Sequence, residues 1–173
     1  MKYLAKMLMW IIVIIAGLYI LSMGLLYRYQ EKMLFIPDVL PADHSYRFDM
    51  PYQEKYIEVA ENVKLNALLF KADSSKGVIF YLHGNAGALN SWGFVSNVYL
   101  EMDYDIFMFD YRGYGKSNGK ILSENQFYDD AQIAYNMVKN EYSEDKIIII
   151  GQSLGTATAA MLAAKNNPKK LIL

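Results

Sequence analysis

Three short, mostly apolar runs, separated by segments with helical spacing, constrain the fold of this chain more than any other feature. The runs cover residues 77–82, 104–109 and 146–150. Such runs are typical of strands that are buried on both faces of a parallel sheet. Because parallel strands need crossover connections, and helices usually supply them, the pattern predicts an α/β domain with a mostly parallel sheet.

The segments between these runs carry helical signals. The first has apolar residues at helical spacing, namely Trp92, Val95, Tyr99 and Met102. Ser123, with Gln126 three residues later, predicts the start of a second helix. Its apolar face comprises Phe127, Ala131, Ala134, Tyr135 and Val138. A third helix, rich in small residues, is predicted over residues 156–165.

Two further strands are predicted ahead of the first buried run. Residues 56–60 and 63–70 alternate with a period of two, and the Glu61-Asn62 step between them indicates a hairpin turn. At the other end, residues 171–173 begin one more strand. The crossover helix that should follow it is absent from the chain, so we expect an incomplete sheet and interpret the chain as a fragment.

A long uncharged segment at the N-terminus predicts a transmembrane helix. Residues 7–27 contain no charged side chain, and at 1.5 Å per residue they span a bilayer core of about 30 Å. A cleaved signal peptide would have a shorter apolar core and a small-x-small cleavage site. Lys2 and Lys6 precede the span, whereas Arg28 and Lys32 follow it, which weakly favours an N-terminus inside and a body on the non-cytoplasmic side.

The chain is accordingly divided into an anchor (residues 1–29), a linker (30–53) and the N-terminal portion of the α/β domain (54–173). Composition excludes several classes of protein. Without cysteine, the chain forms neither a disulfide scaffold nor a cysteine zinc site. Without clustered basic residues it is not expected to bind nucleic acid. The expected partner is the lipid bilayer, and no protein partner is indicated.

The segment GQSLG, residues 151–155, carries the strongest chemical signal. It matches Gly-x-Ser-x-Gly between a buried strand and a helix, where a tight turn projects a nucleophilic serine, Ser153. The alternative is an ordinary helix start, with Ser153 as its cap and the glycines needed only for packing.

The segment HGNAG, residues 83–87, follows the first buried run. Its backbone N–H at Asn85, together with the N–H of Leu154, could form an oxyanion hole. The alternatives are a plain glycine-rich turn or a phosphate cradle, although the usual phosphate-loop patterns are missing. In the third motif, DYRGYGKSNG at residues 110–119, Asp110 and Arg112 are interpreted as pinning a turn through hydrogen bonds and ion pairing.

The three motifs, in this order and on these elements, resemble the α/β-hydrolase superfamily. With the N-terminal span and the segment YRYQEKMLFIP (residues 27–37), the chain is similar to a membrane-anchored serine-hydrolase subgroup. The resemblance implies Ser153 as nucleophile, the Asn85 and Leu154 amides as the oxyanion hole, and a structural role for His83. It implies no cofactor and no metal.

The same resemblance demands an acid and a histidine base on later strands. The chain has only two histidines, His44 in the linker and His83, and neither is in the base position. We therefore expect little activity from the chain as given. It could be a fragment of a longer hydrolase, which is the interpretation adopted here, a naturally short non-catalytic relative, or half of an enzyme completed in trans.

The functional hypothesis is a membrane-anchored serine hydrolase that cleaves an ester, thioester or amide through an acyl-enzyme at Ser153. Its substrate would be a small molecule or a lipid acyl group. The alternative is a membrane-tethered binding or scaffold protein that has the same fold but no chemistry.

Overall fold

The computed structural model describes residues 2–173, which form two compact units. The first unit ends at Ile36 and consists mainly of helix α1 (Lys2–Leu34), which buries no residue. Helix α1 is long and apolar enough to cross a membrane. The chain thus carries a candidate membrane anchor at its N-terminus, and the second unit extends from Pro37 to Leu173.

The second unit has the alternating strands and helices that the sequence predicts. After α1, the elements are, in chain order, β1 (Ile36–Pro37), β2 (Tyr52–Ala60), β3 (Val63–Phe70), β4 (Val78–Leu82), β5 (Ala86–Gly87), α2 (Leu89–Trp92), a 3₁₀ turn (Gly93–Val95), α3 (Ser96–Leu100), β6 (Asp105–Phe109), α4 (Glu124–Lys139), a 3₁₀ turn (Glu144–Lys146), β7 (Ile147–Gly151), α5 (Gly155–Lys165) and β8 (Lys170–Ile172). The boundaries proposed above for anchor, linker and domain remain predictions.

The main sheet has the strand order β2-β3-β6-β4-β7-β8. Strands β6, β4, β7 and β8 are parallel to one another, whereas β2 and β3 form an antiparallel hairpin and β3 runs antiparallel to β6. Asn62 makes the hairpin turn with a φ of 59°. The prediction of a mostly parallel α/β sheet is therefore confirmed.

Side chains from both faces of the sheet are buried under helices. On one face Tyr81 contacts Tyr99 of α3, with their ring centroids 6.3 Å apart. On the other face Phe80 contacts Tyr135 of α4, with a centroid distance of 5.4 Å. Because both faces are covered, the central strands are mostly apolar, as the three apolar runs indicate, with the buried Asp105 at the start of β6 as an exception.

The helical region after β4 differs from its prediction. Instead of one helix reaching Met102, the structure has α2, a 3₁₀ turn and α3, which ends at Leu100. Asp103 adopts a left-handed φ of 63°, and the N–H of Tyr104 donates to the carbonyl of Tyr99. This C-terminal cap turns the chain into β6 and leaves Met102 exposed.

Helix α4 starts at the predicted position, and of the two reciprocal hydrogen bonds of a capping box it forms the one to the Ser123 side chain. Ser123 is the N-cap, and its hydroxyl accepts from the N–H of Gln126 at 3.2 Å. The side chain of Gln126 accepts from the N–H of Leu122 rather than from the N–H of Ser123. The predicted apolar face of this helix is buried.

Candidate active site

The three motifs meet at one edge of the sheet. They follow β4, β6 and β7, which are adjacent and parallel. The carboxyl ends of parallel strands lie on the same edge, and ligand sites of open α/β sheets form there. We call this side, with the loops 83–87, 110–119 and 151–155, the carboxyl edge.

Ser153 occupies a tight turn between β7 and α5. Its φ is 52°, a left-handed conformation that non-glycine residues rarely adopt and that costs roughly 1–3 kcal/mol. The turn is held because the carbonyl of Ser153 accepts from both the N–H and the hydroxyl of Thr156, at 3.0 and 2.6 Å. The Ser153 residue is exposed, so the turn presents its side chain at the surface.

The glycines on either side of Ser153 are required by close packing. A Cβ atom at Gly151 would lie 2.6 Å from the carbonyl oxygen of Gly155 and 2.7 Å from the Cβ of Ala159. A Cβ atom at Gly155 would overlap the carbonyl group of Leu82 in β4. The Gly-x-Ser-x-Gly spacing therefore follows from how tightly this turn is pressed between β4 and α5. Helix α5 begins at Gly155, two residues after the serine.

The loop after β4 passes directly beside Ser153. A Cβ atom at Gly84 would lie 3.6 Å from the Cβ of Ser153 and 3.2 Å from the Trp92 ring. Trp92 holds this loop, since its indole N–H donates to the carbonyl of Ala86 at 2.8 Å. Asn85 is half-buried, and its carbonyl accepts from the hydroxyl of Tyr114.

The turn containing Ser153 is also connected to β4 itself. The N–H of Gln152 donates to the carbonyl of Leu82 at 2.9 Å, and the hydroxyl of Tyr81 donates to the Gln152 side chain. Leu154, next to the serine, is half-buried. The structure thus brings the segment of Asn85 and the turn of Ser153 and Leu154 together, while their catalytic roles remain predictions.

His83 is buried in the protein interior behind this loop. Its Nδ1 lies 2.8 Å from the carbonyl oxygen of Gly84, and its ring contacts Tyr111 at a centroid distance of 4.2 Å. Its Nε2 lies 3.4 Å from the carboxylate of Asp110, and both side chains are fully buried. This environment supports the structural interpretation of His83.

Asp110 connects the loops after β4 and β6. Its carboxylate accepts from the N–H of Leu89 at 3.0 Å, and a Cβ atom at Gly115 would overlap it. Burial raises the pKa of this carboxyl above its ordinary value, although His83 and the Leu89 N–H both favour the charged form.

Arg112 makes an ion pair outside its own loop. Its guanidinium donates two hydrogen bonds to Asp130 of α4, at 2.6 and 2.7 Å. The pairing partner was not predictable from the loop alone. Hydrogen bonds within the loop are also present, because the Ser117 hydroxyl donates to the carbonyl of Asp110 at 2.7 Å. This loop is pinned both internally and to a helix.

Sequence reasoning missed one component of this edge, which it treated as linker. Residues 38–40, which we call the strap, are hydrogen-bonded to two of the loops. The N–H of Asp38 donates to the carbonyl of Gly87 at 3.1 Å, and the N–H of Leu40 donates to the carbonyl of Gly115 at 2.9 Å. Gly115 in turn donates to the carbonyl of Asp38 at 2.7 Å. Pro37 and Pro41 flank the strap and indicate a linker, so the sequence contains no signal for these bonds.

No residue in the described part of the chain serves Ser153 as a histidine base. In the segment before β2, the His44 ring makes an edge-to-face contact with the Tyr46 ring, and their centroids lie 5.2 Å apart. His83 is engaged in the interior as described above. Within residues 2–173, His, Asp and Glu side chains also form no group that could hold a metal ion.

Comparison with known proteins identifies the architecture. A family model described as the alpha/beta hydrolase fold matches residues 77–172. The chain is 31% identical to protein bem46 of Schizosaccharomyces pombe, over 87% of this chain and 54% of that protein. It is 26% identical to a protein of Saccharomyces cerevisiae named as an uncharacterized membrane protein, over 84% of this chain and 53% of the relative.

Among solved structures, an alpha-beta hydrolase from Vibrio vulnificus is similar, with a TM-score of 0.60 and 27% identity. The match covers 69% of this chain and 44% of the Vibrio protein. The chain spans about half the length of the curated relatives that it matches.

Proposed function

This chain belongs to the alpha/beta hydrolase family, and on that premise we propose that it acts as a membrane-anchored serine hydrolase with Ser153 as its nucleophile. The observation that carries the proposal is the left-handed turn at Ser153, pressed between β4 and α5 by Gly151 and Gly155 and adjacent to Gly84. A turn of this kind exposes a serine hydroxyl at the carboxyl edge of the sheet.

The proposed reaction is hydrolysis of an ester, thioester or amide in two steps. In the first, Ser153 Oγ bonds to the carbonyl carbon, the bond to the leaving group breaks, and the serine proton passes through a base to that group. In the second, water attacks the acyl carbon, releases the carboxylic acid and restores the serine. The N–H groups of Asn85 and Leu154 would stabilise the oxyanion of both steps.

The proposal requires a proton acceptor from outside residues 2–173. His83 has both ring nitrogens directed at Gly84 and Asp110 in the interior, and His44 contacts Tyr46. A serine without a base retains only a small part of its reactivity. Activity is therefore proposed for the assembled native protein.

A second candidate is a membrane-tethered binding or scaffold protein that uses this fold without chemistry. The two candidates differ in one respect that can be measured. Binding by a scaffold survives Ser153→Ala unchanged, and no acyl group is trapped on it.

The proposed location is a membrane, with the second unit on the non-cytoplasmic side. Helix α1 supports an anchor, and a relative is named as a membrane protein. Because the chain has no cysteine, a single cysteine at the exposed Ser74 reports the side directly. A membrane-impermeant maleimide should label Ser74→Cys from outside sealed cells, and labelling only after lysis would overturn this orientation.

A fluorophosphonate probe tests the proposed nucleophile. The native protein in detergent should be labelled, and labelling should fall at least tenfold in Ser153→Ala. The matched control is Ser74→Ala, an exposed serine ahead of β4, which should be labelled like the native protein. Equal labelling of all three proteins would eliminate Ser153 as the nucleophile.

A further inference from the structure

We infer that the carboxyl edge of the sheet faces the lipid surface, so that the proposed site takes an amphiphilic ester directly from the membrane interface. The orientation is independent of the chemistry at Ser153. The assignment of substrate class rests on the proposed function. Three features of the chain carry the inference: the length of the tether, the loops to which it is attached, and the side chains exposed beside it.

The tether between the anchor and the second unit is short. Helix α1 ends at Leu34, and Asp38 is already hydrogen-bonded to Gly87. Four residues span at most about 14 Å when fully extended. The length of the chain therefore keeps Asp38 near the end of helix α1. The last turns of α1 carry Arg28 and Lys32, and basic residues of this kind suit the headgroup layer.

The strap is attached to the loops of the site itself. It bonds to Gly87 in the loop after β4 and to Gly115 in the loop after β6. Both loops belong to the carboxyl edge, which also carries Ser153. A tether bonded to the opposite edge would hold the site away from the bilayer. The strap is bonded to the carboxyl edge and therefore holds the site near the bilayer.

The side chains exposed at this edge suit a lipid interface. Val39 on the strap is 75% exposed and Leu122, just before α4, is 78% exposed. No other large apolar side chain of residues 37–173 is as exposed. Leu122 lies at this edge because α4 follows β6, and the N–H of the nearby Asn118 donates to the carbonyl of Lys64 at the start of β3. Apolar side chains at such positions insert readily among headgroups.

The opposite edge has a different character. Its exposed residues are mostly polar or charged, namely Asp73, Ser74, Ser75, Lys76 and Asp145, and Met102 is the apolar exception. The carboxyl edge exposes charged residues as well, such as Glu61 and Lys120, so the two edges differ in how far their apolar side chains are exposed, with Val39 and Leu122 above Met102. This difference favours a lipid surface at the carboxyl edge and water at the opposite one. Ser153 would then reach a carbonyl held at headgroup depth, as in an acylated lipid or a lipidated chain.

Lipid quenching tests the orientation without any activity measurement. Single cysteines at Lys120 and Glu61 report the carboxyl edge, and cysteines at Ser74 and Asp145 report the opposite edge; all four residues are exposed. Each protein carries an environment-sensitive dye and is reconstituted in phosphatidylcholine and phosphatidylserine vesicles containing headgroup spin-labelled lipid. We expect quenching at least threefold stronger at Lys120 and Glu61. Equal or reversed quenching would overturn the inference.

A longer tether tests the substrate class. Fourteen glycine and serine residues inserted between Leu34 and Phe35 free the site from the interface, and the same insert between Ser74 and Ser75 is the control. We expect the tether insert to lower hydrolysis of a long-chain fluorogenic ester in vesicles at least fivefold, with a water-soluble short-chain ester cleaved as before.

Equal loss on both esters, or no loss on either, would overturn the lipid substrate class. If the native protein cleaves neither ester, the proposed function fails and the substrate class with it. The quenching result still decides the orientation in that case.

Discussion

His83 and Asp110 form a fully buried pair, with the imidazole Nε2 3.4 Å from the nearer carboxylate oxygen. The pair joins the loop after β4 to the loop after β6, because Asp110 also accepts from the N–H of Leu89. Two loops that border the proposed nucleophile are thus held together in the interior by these contacts and by the hydrogen bond from the Tyr114 hydroxyl to the Asn85 carbonyl.

Asp110→Ala should destabilise the second unit by about 2–4 kcal/mol, because it leaves His83 and the N–H of Leu89 buried without their acceptor. Chemical denaturation followed by tryptophan fluorescence measures the change. Asp129→Ala, an exposed carboxylate on α4, should change stability by less than about 0.5 kcal/mol. Equal effects of the two substitutions would contradict the structural role of the pair.

Glu54 should make stability dependent on pH. Burial alone would raise its pKa, but hydrogen bonds from Lys116 and Asn66 outweigh burial and lower the pKa below its ordinary value of 4.5. A carboxylate with a lowered pKa in the folded state contributes stability above pH 4.5, and this contribution is lost as the pH falls through the folded-state pKa.

Glu54→Gln should therefore cost up to about 1 kcal/mol at pH 7, because solvent screens this partly exposed ion pair, and progressively less below pH 4.5. Urea denaturation across this range measures the difference from the native protein. Glu58→Gln, an exposed position on the same strand, should show no such trend. A cost that stays constant down to pH 3 would argue against the Glu54 and Lys116 ion pair.

Gly155→Ala should destabilise the fold by about 3 kcal/mol or more, since its Cβ would overlap the backbone of Leu82. Gly24→Ala is the control, because nothing lies within 4 Å of the added atom. The midpoint of thermal unfolding, measured for both variants and for the native protein, gives the change in stability. A Gly155→Ala protein as stable as the control would show that the turn does not pack against β4 as described.

The sequence was sufficient to predict features that depend on local patterns. The turn at Ser153 was predictable because a buried strand, two glycines and a helix adjoin it in the chain. The face of α4 was predictable because residues such as Phe127 and Tyr135 recur at helical spacing.

Features that depend on distant contacts were not predictable from local patterns. The strap, at residues 38–40, bonds to Gly115 in a loop far along the chain. The pairing of Arg112 with Asp130 also joins a loop to a helix. The break between α2 and α3 coincides with Gly93, where a side chain would overlap the ring of Phe48. Each of these contacts belongs to the tertiary structure.

The most direct test of the account is peptide mass spectrometry of the native protein, acid-quenched during turnover of a long-chain thioester in vesicles. The account predicts an acyl group on the peptide containing Ser153, absent from Ser153→Ala and present in Ser74→Ala. Turnover with no acyl group on that peptide, or with one on another residue, would contradict the assignment of Ser153 as the nucleophile.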